Sequence, residues 1–290
     1  MAVENNTTTS ADMIAALDEE FVFNYKQEAD RLVELLGITG VETVAAGTAI
    51  YQVKITGELA TDAVEEGDLV ALSKYKAERV AIDAVEPKKY RKLTTAEAIL
   101  KAGPAIAVTR TDAKMASQAR NVMVSDFFAA LGNGTGTATG KTLQATLALA
   151  DAALADAMES KGDEGANVVH FVNRQDAAAY LGEANITTQT VAGLTYLESF
   201  LGIPSVFLTN KVEKGSLYVT SSENLHAFGV DFSGLADGGL VYSTDTSGLV
   251  GVSHDPVKNR AAVETNVMSG LKLFPEVTDY IVKGTIAPTA

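Results

Sequence analysis

The chain has no cysteine, which excludes disulfides, thiolate nucleophiles and cysteine-based zinc sites and fits a protein made in a cytosol. No stretch approaches the ~20 uninterrupted apolar residues of a membrane-spanning helix. The opening MAVENNTTTS lacks the basic-then-apolar pattern of a secretory signal. Basic residues are scarce: 23 against 37 acidic ones give a formal charge of −14, a surface that repels phosphate backbones and disfavours a dedicated nucleic-acid binder. The three histidines, His170, His226 and His254, are far apart with no metal-ligand spacing, and each is expected to be a surface or satisfied strand residue. There is no Gly-x-Ser-x-Gly elbow, no His-Glu-x-x-His, no Gly-x-Gly-x-x-Gly and no calcium loop. No carboxylate is marked by apolar neighbours that would fit it for acid–base work. Asp245 and Asp255 stand in loop-like stretches as turn residues. No catalytic residue, cofactor or metal site is expected, and the sequence does not read as an enzyme.

What is present is a well-patterned chain. A hydrophobic content of 47% over 290 residues is ample for one elaborate domain or two ordinary ones. The stretch Arg110–Leu131 carries Met115, Ala119, Val122, Met123, Phe127, Ala130 and Leu131 at three- and four-residue steps, the period of one helix face. Thr109 and Asp112 offer a capped start, and Gly132-Asn133-Gly134 offers a stop in which both residue types tolerate a left-handed conformation. This long helix reads as a spine to which two separate structures are attached.

Before the spine, residues 1–10 are polar and Asp12–Leu36 is an acidic helix. Strands are expected at Ile50–Ile55 and Tyr75–Val85, joined by a turn-rich acidic segment. This excursion has little apolar mass, and an isolated hairpin is marginal in water, so the rest of the chain or another subunit is expected to cover it. Its charges are segregated: Glu58, Asp62, Glu65, Glu66 and Asp68 lie on the outward half, and Lys74, Lys76, Arg79, Lys88, Lys89, Arg91 and Lys92 on the return. Cross-strand pairing within the hairpin and complementarity to a neighbour both account for that. Thr94 and Glu97 have capping-box spacing for a short helix that ends at Gly103-Pro104.

After the spine, GNGTGTATGKT (132–142) resembles a phosphate loop but fails its spacing. Five and three residues separate Gly134 and Gly136 from Gly140, where the motif needs four, and a helix rather than a strand precedes it. It reads as a flexible linker. A helix over 141–160 and a strand at 167–172 follow. Asn173 and Asp176 are placed to cap a helix to Leu181, and Val191–Leu201 reads as another helix. Strands are expected at 203–208, 216–220 and 225–230, making 138–262 a compact α/β region. Residues 261–286 read as one extended strand returning beside the spine.

This order of parts resembles the major capsid proteins of tailed bacteriophages, the α+β Hong Kong 97 fold. The strand Val168–Val172 running into Asn173-x-x-Asp176 is similar to that family's phrasing. So is Gly202-Ile203-Pro204-Ser205-Val206 followed by Lys214-Gly215-Ser216-Leu217-Tyr218-Val219. The resemblance implies an N-terminal arm at 1–46, an extended E-loop hairpin at 47–95, a peripheral domain from 96–137 with 261–290, and an axial domain at 138–260. It implies a non-enzymatic, structural subunit that self-assembles into pentamers and hexamers of an icosahedral head around packaged double-stranded DNA, without sequence-specific binding and without a membrane. By the same resemblance the chain works in the virion after assembly in the host bacterial cytoplasm. Its partners would be itself, a separate scaffolding protein, a portal protein and a decoration protein. Glu58, Asp62, Glu65, Glu66, Asp68, Lys74, Lys76 and Arg79 are the inter-subunit contact candidates. Lys74, Lys76 and Asn266 match, by position only, residues that some relatives join by isopeptide bonds. Two other readings are an encapsulin-type nanocompartment shell, whose cargo would dock on the Asp12–Leu36 helix, and a nucleotide-binding α/β enzyme built on 132–142.

Overall fold

The structure, a computed structural model, describes residues 10–60, 65, 69–163, 167–181, 189–191, 194–197, 203, 205–245 and 247–287. The chain begins with helix α1 (Ser10–Leu35), whose Phe21, Tyr25, Ala29, Leu32 and Leu36 recur on one face and are buried. Strand β1 (Val41–Val44) follows. A long ribbon then runs out along β2 (Thr48–Glu58) and back along β3 (Lys74–Val85), and β4 (Lys88–Thr95) leads into short helix α2 (Ala96–Ala102). A π-helical turn (Ala105–Arg110) feeds the spine, α3 (Thr111–Leu131). Next come β5 (Gly136–Gly140), α4 (Leu143–Glu159), β6 (Val168–Asn173) and α5 (Arg174–Leu181). Then follow β7 (Gln189–Val191), β8 (Leu194–Leu197), β9 (Val206–Thr209), β10 (Ser216–Ser221) and β11 (Leu225–Val230). The chain ends on β12 (Ser243–Thr244), β13 (Val250–Val257), β14 (Ala262–Ser269), β15 (Lys272–Pro275) and β16 (Ile281–Ile286).

A seven-stranded mixed sheet, in the order β5-β16-β10-β6-β9-β8-β7, is the centre of the molecule. Its inner strands β6, β9 and β10 are buried on both faces, as a sheet covered on both sides requires. On one face, Tyr218, Phe171, Phe207 and Tyr196 stand side by side across β10, β6, β9 and β8. The spine is pressed onto this aromatic row: Phe127 and Phe128 meet the Phe171 ring edge-on at 5.6 and 5.3 Å. The same core takes in Tyr25, Leu32 and Leu36 of α1. On the other face, Val172, Leu208, Leu217 and Val219 pack against Leu143, Leu147, Ala150 and Leu154 of α4.

The sequence-based expectations hold for the long elements and fail at several short ones. The spine matches its expected span, but Thr109 does not cap it, because the chain arrives already helical through the π turn. Its end is not left-handed either, since Gly132 stays right-handed at φ −61°. Residues 132–142 are not a flexible linker. Gly136–Gly140 is an edge strand parallel to β16, and Thr142 caps α4 by accepting from the Ala145 N–H. That disposes of the nucleotide loop: its backbone N–H groups serve a sheet and a helix start. The cap of α2 is Thr95, not Thr94, because β4 runs one residue further before the chain turns helical.

Asn173 does cap α5, accepting from the Gln175 N–H, but Asp176 instead accepts from the Gly215 N–H, tying α5 to the start of β10. Where a helix was expected at 191–201, the described residues are strand: Gln189–Val191 and Leu194–Leu197 pair antiparallel on the edge of the large sheet. The expected single strand 261–286 is three, each in a different sheet. β14 pairs with β13 and β4, β15 with β11, and β16 sits between β5 and β10. Asp255 accordingly lies in strand β13 rather than in a turn, whereas Asp245 is the turn residue expected, accepting from the N–H groups of Ser247, Leu249 and Val250.

Candidate assembly surface

The β2–β3 ribbon stands apart from every other sheet. Its base is fixed. Ile50 and Val85 are buried among Val230, Phe232, Met268 and Phe274, and Lys272 ion-pairs with Asp83 and donates to the Ala84 carbonyl at 2.8 Å. That lysine holds the Asp83 carboxyl below the usual carboxylate range, chiefly through its hydrogen bond. A bulge between Ile50 and Tyr51 shifts the register just beyond this anchor, a feature that bends and twists a ribbon. Past the bulge the ribbon is bare. Tyr51, Ile55, Leu59, Val70, Tyr75 and Val80 are all exposed, and Leu69 and Leu72 near its tip are each 96% exposed. Helix α2, at the far end of β4, also buries none of its side chains and leaves Leu100 85% exposed. Scattered surface apolar residues are ordinary, but a run of them along one unsupported ribbon marks a contact surface.

The charged candidates fall on the same ribbon. Glu58 and Lys74 are register partners where β2 and β3 part, and Glu65 is exposed beyond them. Asp62, Glu66 and Asp68 lie outside the described residues. Lys76 pairs along its own strand with Glu78, and Arg79 lays its guanidinium 5.1 Å from the centre of the Tyr51 ring. The basic residues further along the return are spent elsewhere. Lys88 pairs with Asp126 of the spine, Arg91 with Glu264 of β14 at 3.2 Å, and Lys92 with Asp112. Lys88, Arg91 and Lys92 thus pair with the spine and β14 and not across the ribbon. The apolar residues of the ribbon were the signal the sequence reading passed over: Leu69, Val70 and Leu72 stand in an acidic, turn-rich segment where nothing local can bury them.

A second feature escaped the sequence entirely. His254 of β13 is 4% exposed and bridges two carboxylates, Asp18 of α1 through Nδ1 and Asp112 of the spine through Nε2 at 3.0 Å. Lys92 of β4 ion-pairs with Asp112 and donates to Thr111 Oγ1 at 2.6 Å. Burial pushes the His254 pKa down, but the hydrogen bonds that its ring donates to Asp112 and Asp18 outweigh it and raise it to about 9. Burial likewise pushes Asp112 up, and the hydrogen bonds from His254 and Lys92 outweigh that, leaving it below the usual carboxylate range. Beside this cluster, α1 and α3 enclose a groove of about 260 Å³ with Leu17, Phe21, Ala113 and Ala116 in its wall and Glu20 and Glu28 among its polar lining. Among the described residues, no group of three or more histidines and carboxylates is placed to hold a metal ion.

No family model and no curated protein matches the chain. Solved structures do. The capsid asymmetric unit of Cyanophage A-1(L) aligns with a TM-score of 0.56 at 14% identity, covering 89% of this chain and 92% of that one. The mature capsid of bacteriophage PhiM1 aligns at 0.52 and 7% identity, covering 87% and 85%. A structure from Mycobacterium phage Ogopogo aligns at 0.51 and 11% identity, covering 86% and 90%. Likeness at such identities establishes a shared fold over most of the chain.

Proposed function

We propose that this chain, which has the Hong Kong 97 capsid fold, is the major shell subunit of a tailed-phage head, a structural protein and not an enzyme. Copies assemble into pentamers and hexamers that close an icosahedral shell around packaged double-stranded DNA. One observation carries the reading: a ribbon anchored at its base and carrying exposed apolar side chains along its length, in a chain whose other described strands are paired in larger sheets. A two-stranded ribbon is marginal alone, so a second copy is what stabilises it, and each protomer is then stabilised by its neighbours. Glu58, Asp62, Glu65, Glu66, Asp68, Lys74, Lys76 and Arg79 set the register of that contact rather than its strength.

In this reading residues 1–46 form the arm, 47–95 the E-loop, 96–137 with 261–290 the peripheral domain and 138–260 the axial domain, β16 crossing back into the axial sheet. The arm is partly internal, since α1 buries Tyr25 and Leu32 in its own protomer. A separate scaffolding protein, a portal and a decoration protein complete the head, which is assembled in the host bacterial cytoplasm. The acidic surface suits a container that must not adhere to the DNA it encloses. Negative-stain electron microscopy of the purified chain, with size-exclusion chromatography of the same sample, tests this. Closed shells, or pentamers and hexamers, support it. A monomer that stays monomeric when co-expressed with its neighbouring genes overturns it.

The encapsulin-type reading draws on one observation, the groove against α1, where a cargo peptide would need to sit. The contents of the particles separate the two: packaged DNA for a head, a folded enzyme for a nanocompartment.

A further inference from the structure

We propose that His254, Asp18, Asp112 and Lys92 form a protonation-controlled latch that holds α1 to the start of the spine, and that alkaline solution opens it. The four residues come from β13, α1, α3 and β4 and join these four elements in one charged cluster; a separate ion pair between α1 and the spine, Glu28 with Arg120 at 2.8 Å, lies further along both helices and does not involve the ring. With the ring protonated the cluster holds two positive and two negative charges, and both ring nitrogens are donors, one for each carboxylate. A neutral ring has one donor only. One carboxylate then loses its bond, and the buried cluster is left with an unbalanced negative charge.

The structure says which carboxylate is lost. Asp112 keeps Lys92, whose Nζ also reaches Thr111 Oγ1 at 2.6 Å, whereas among the described residues the side chain of Asp18 bonds to His254 alone. Asp18 is therefore the weaker partner, and α1 is the element released. No other charge facing the ring compensates. β14 presents the uncharged hydroxyl of Thr265, the register partner of both His254 and Lys92. Asp255, Glu264 and Arg91 lie on the opposite face of the sheet, where Arg91 and Glu264 pair with each other.

The pH window follows from the direction of the shift. A histidine whose folded pKa is raised contributes stability that is complete below its unfolded value of 6.5 and is lost as pH rises through about 9. On the acid side Asp112, held below the usual carboxylate range, keeps the latch closed until ordinary surface carboxylates have already taken up protons.

Hydrogen exchange read by mass spectrometry on the full chain, corrected for the intrinsic rate at each pH, is the test. Between neutral pH and about pH 10, α1 amides should lose roughly tenfold or more of their protection while α4 amides keep theirs. Asp18→Asn should loosen α1 already at neutral pH, and His254→Gln should remove the pH dependence. The proposal is overturned if α1 protection is unchanged while the His254 ring, followed by NMR in the wild-type chain, loses its proton. It is equally overturned if that ring titrates below pH 7, or if Asp18→Asn leaves α1 as protected as before. Should His254→Gln not fold, the wild-type exchange and ring titration decide alone.

Discussion

At Gly134 a methyl group would stand 2.6 Å from the Ile281 side chain and 2.8 Å from its carbonyl oxygen, and at Gly140 one would meet the Thr146 backbone nitrogen at 2.6 Å. Neither glycine has a positive φ. They are glycines because other backbone passes close by, β16 in one case and the first turn of α4 in the other. Gly103 is the contrast, with φ +79° and open space around its Cα. Gly134→Ala should therefore destabilise the chain by about 1–3 kcal/mol through overpacking, read as a lower urea midpoint with unchanged slope. Gly103→Ala, at ψ 154° in a region essentially reserved for glycine, should cost only its backbone strain, about 1–3 kcal/mol. At Phe171, the hub of the aromatic contacts below the spine, truncation to alanine should cost about 3–5 kcal/mol. The glycines of 132–142 were plain in the sequence, but their reason was not, because Ile281 lies far along the chain. His254 was unreadable for the same cause: nothing near it in sequence announces Asp18 or Asp112.

Elements whose signal is local were legible. The spine, α4 and β6 carry their periodicity or apolar run within themselves, and they fold where the pattern put them. Elements defined by a distant partner were not. β4 reads KKYRKLTT, a basic stretch, and becomes a strand because β14 pairs with all eight of its residues, Lys88 through Thr95. Leu194–Leu197 is apolar without a diagnostic period and takes its strand form from β9. The ribbon β2–β3 sits between these cases, legible as two strands but silent about what covers them. If its side chains serve neighbours and not its own protomer, replacing Leu69, Val70 and Leu72 together by serine should leave the melting temperature unchanged and abolish assembly. Differential scanning calorimetry of the subunit beside light scattering of the assembly reaction checks both halves. A lowered melting temperature in the isolated subunit would show that the tip folds back on its own chain.

Over the whole molecule the formal charge is −14, and copies of so acidic a chain repel one another before they touch. Assembly should accelerate as salt rises from low to physiological ionic strength, because screening shortens that repulsion more than it weakens buried contacts. Stopped-flow light scattering across a salt series would show it, and a rate that falls with salt would place the controlling charges in attractive pairs instead. The return of residues 261–286 to earlier parts of the chain was legible, but their division among three sheets was not, since each third answers to a different distant strand. β16 has a further consequence. In chain order it follows every other strand of the central sheet, yet it lies between β5 and β10 and is the sole partner of β5. During synthesis the sheet stays split until residues 281–286 have been made. A ribosome that stalls short of them releases a chain whose β5 has no strand to join and whose β10 is left as a bare edge, so the fold itself inspects each subunit for length before it can be built into anything larger.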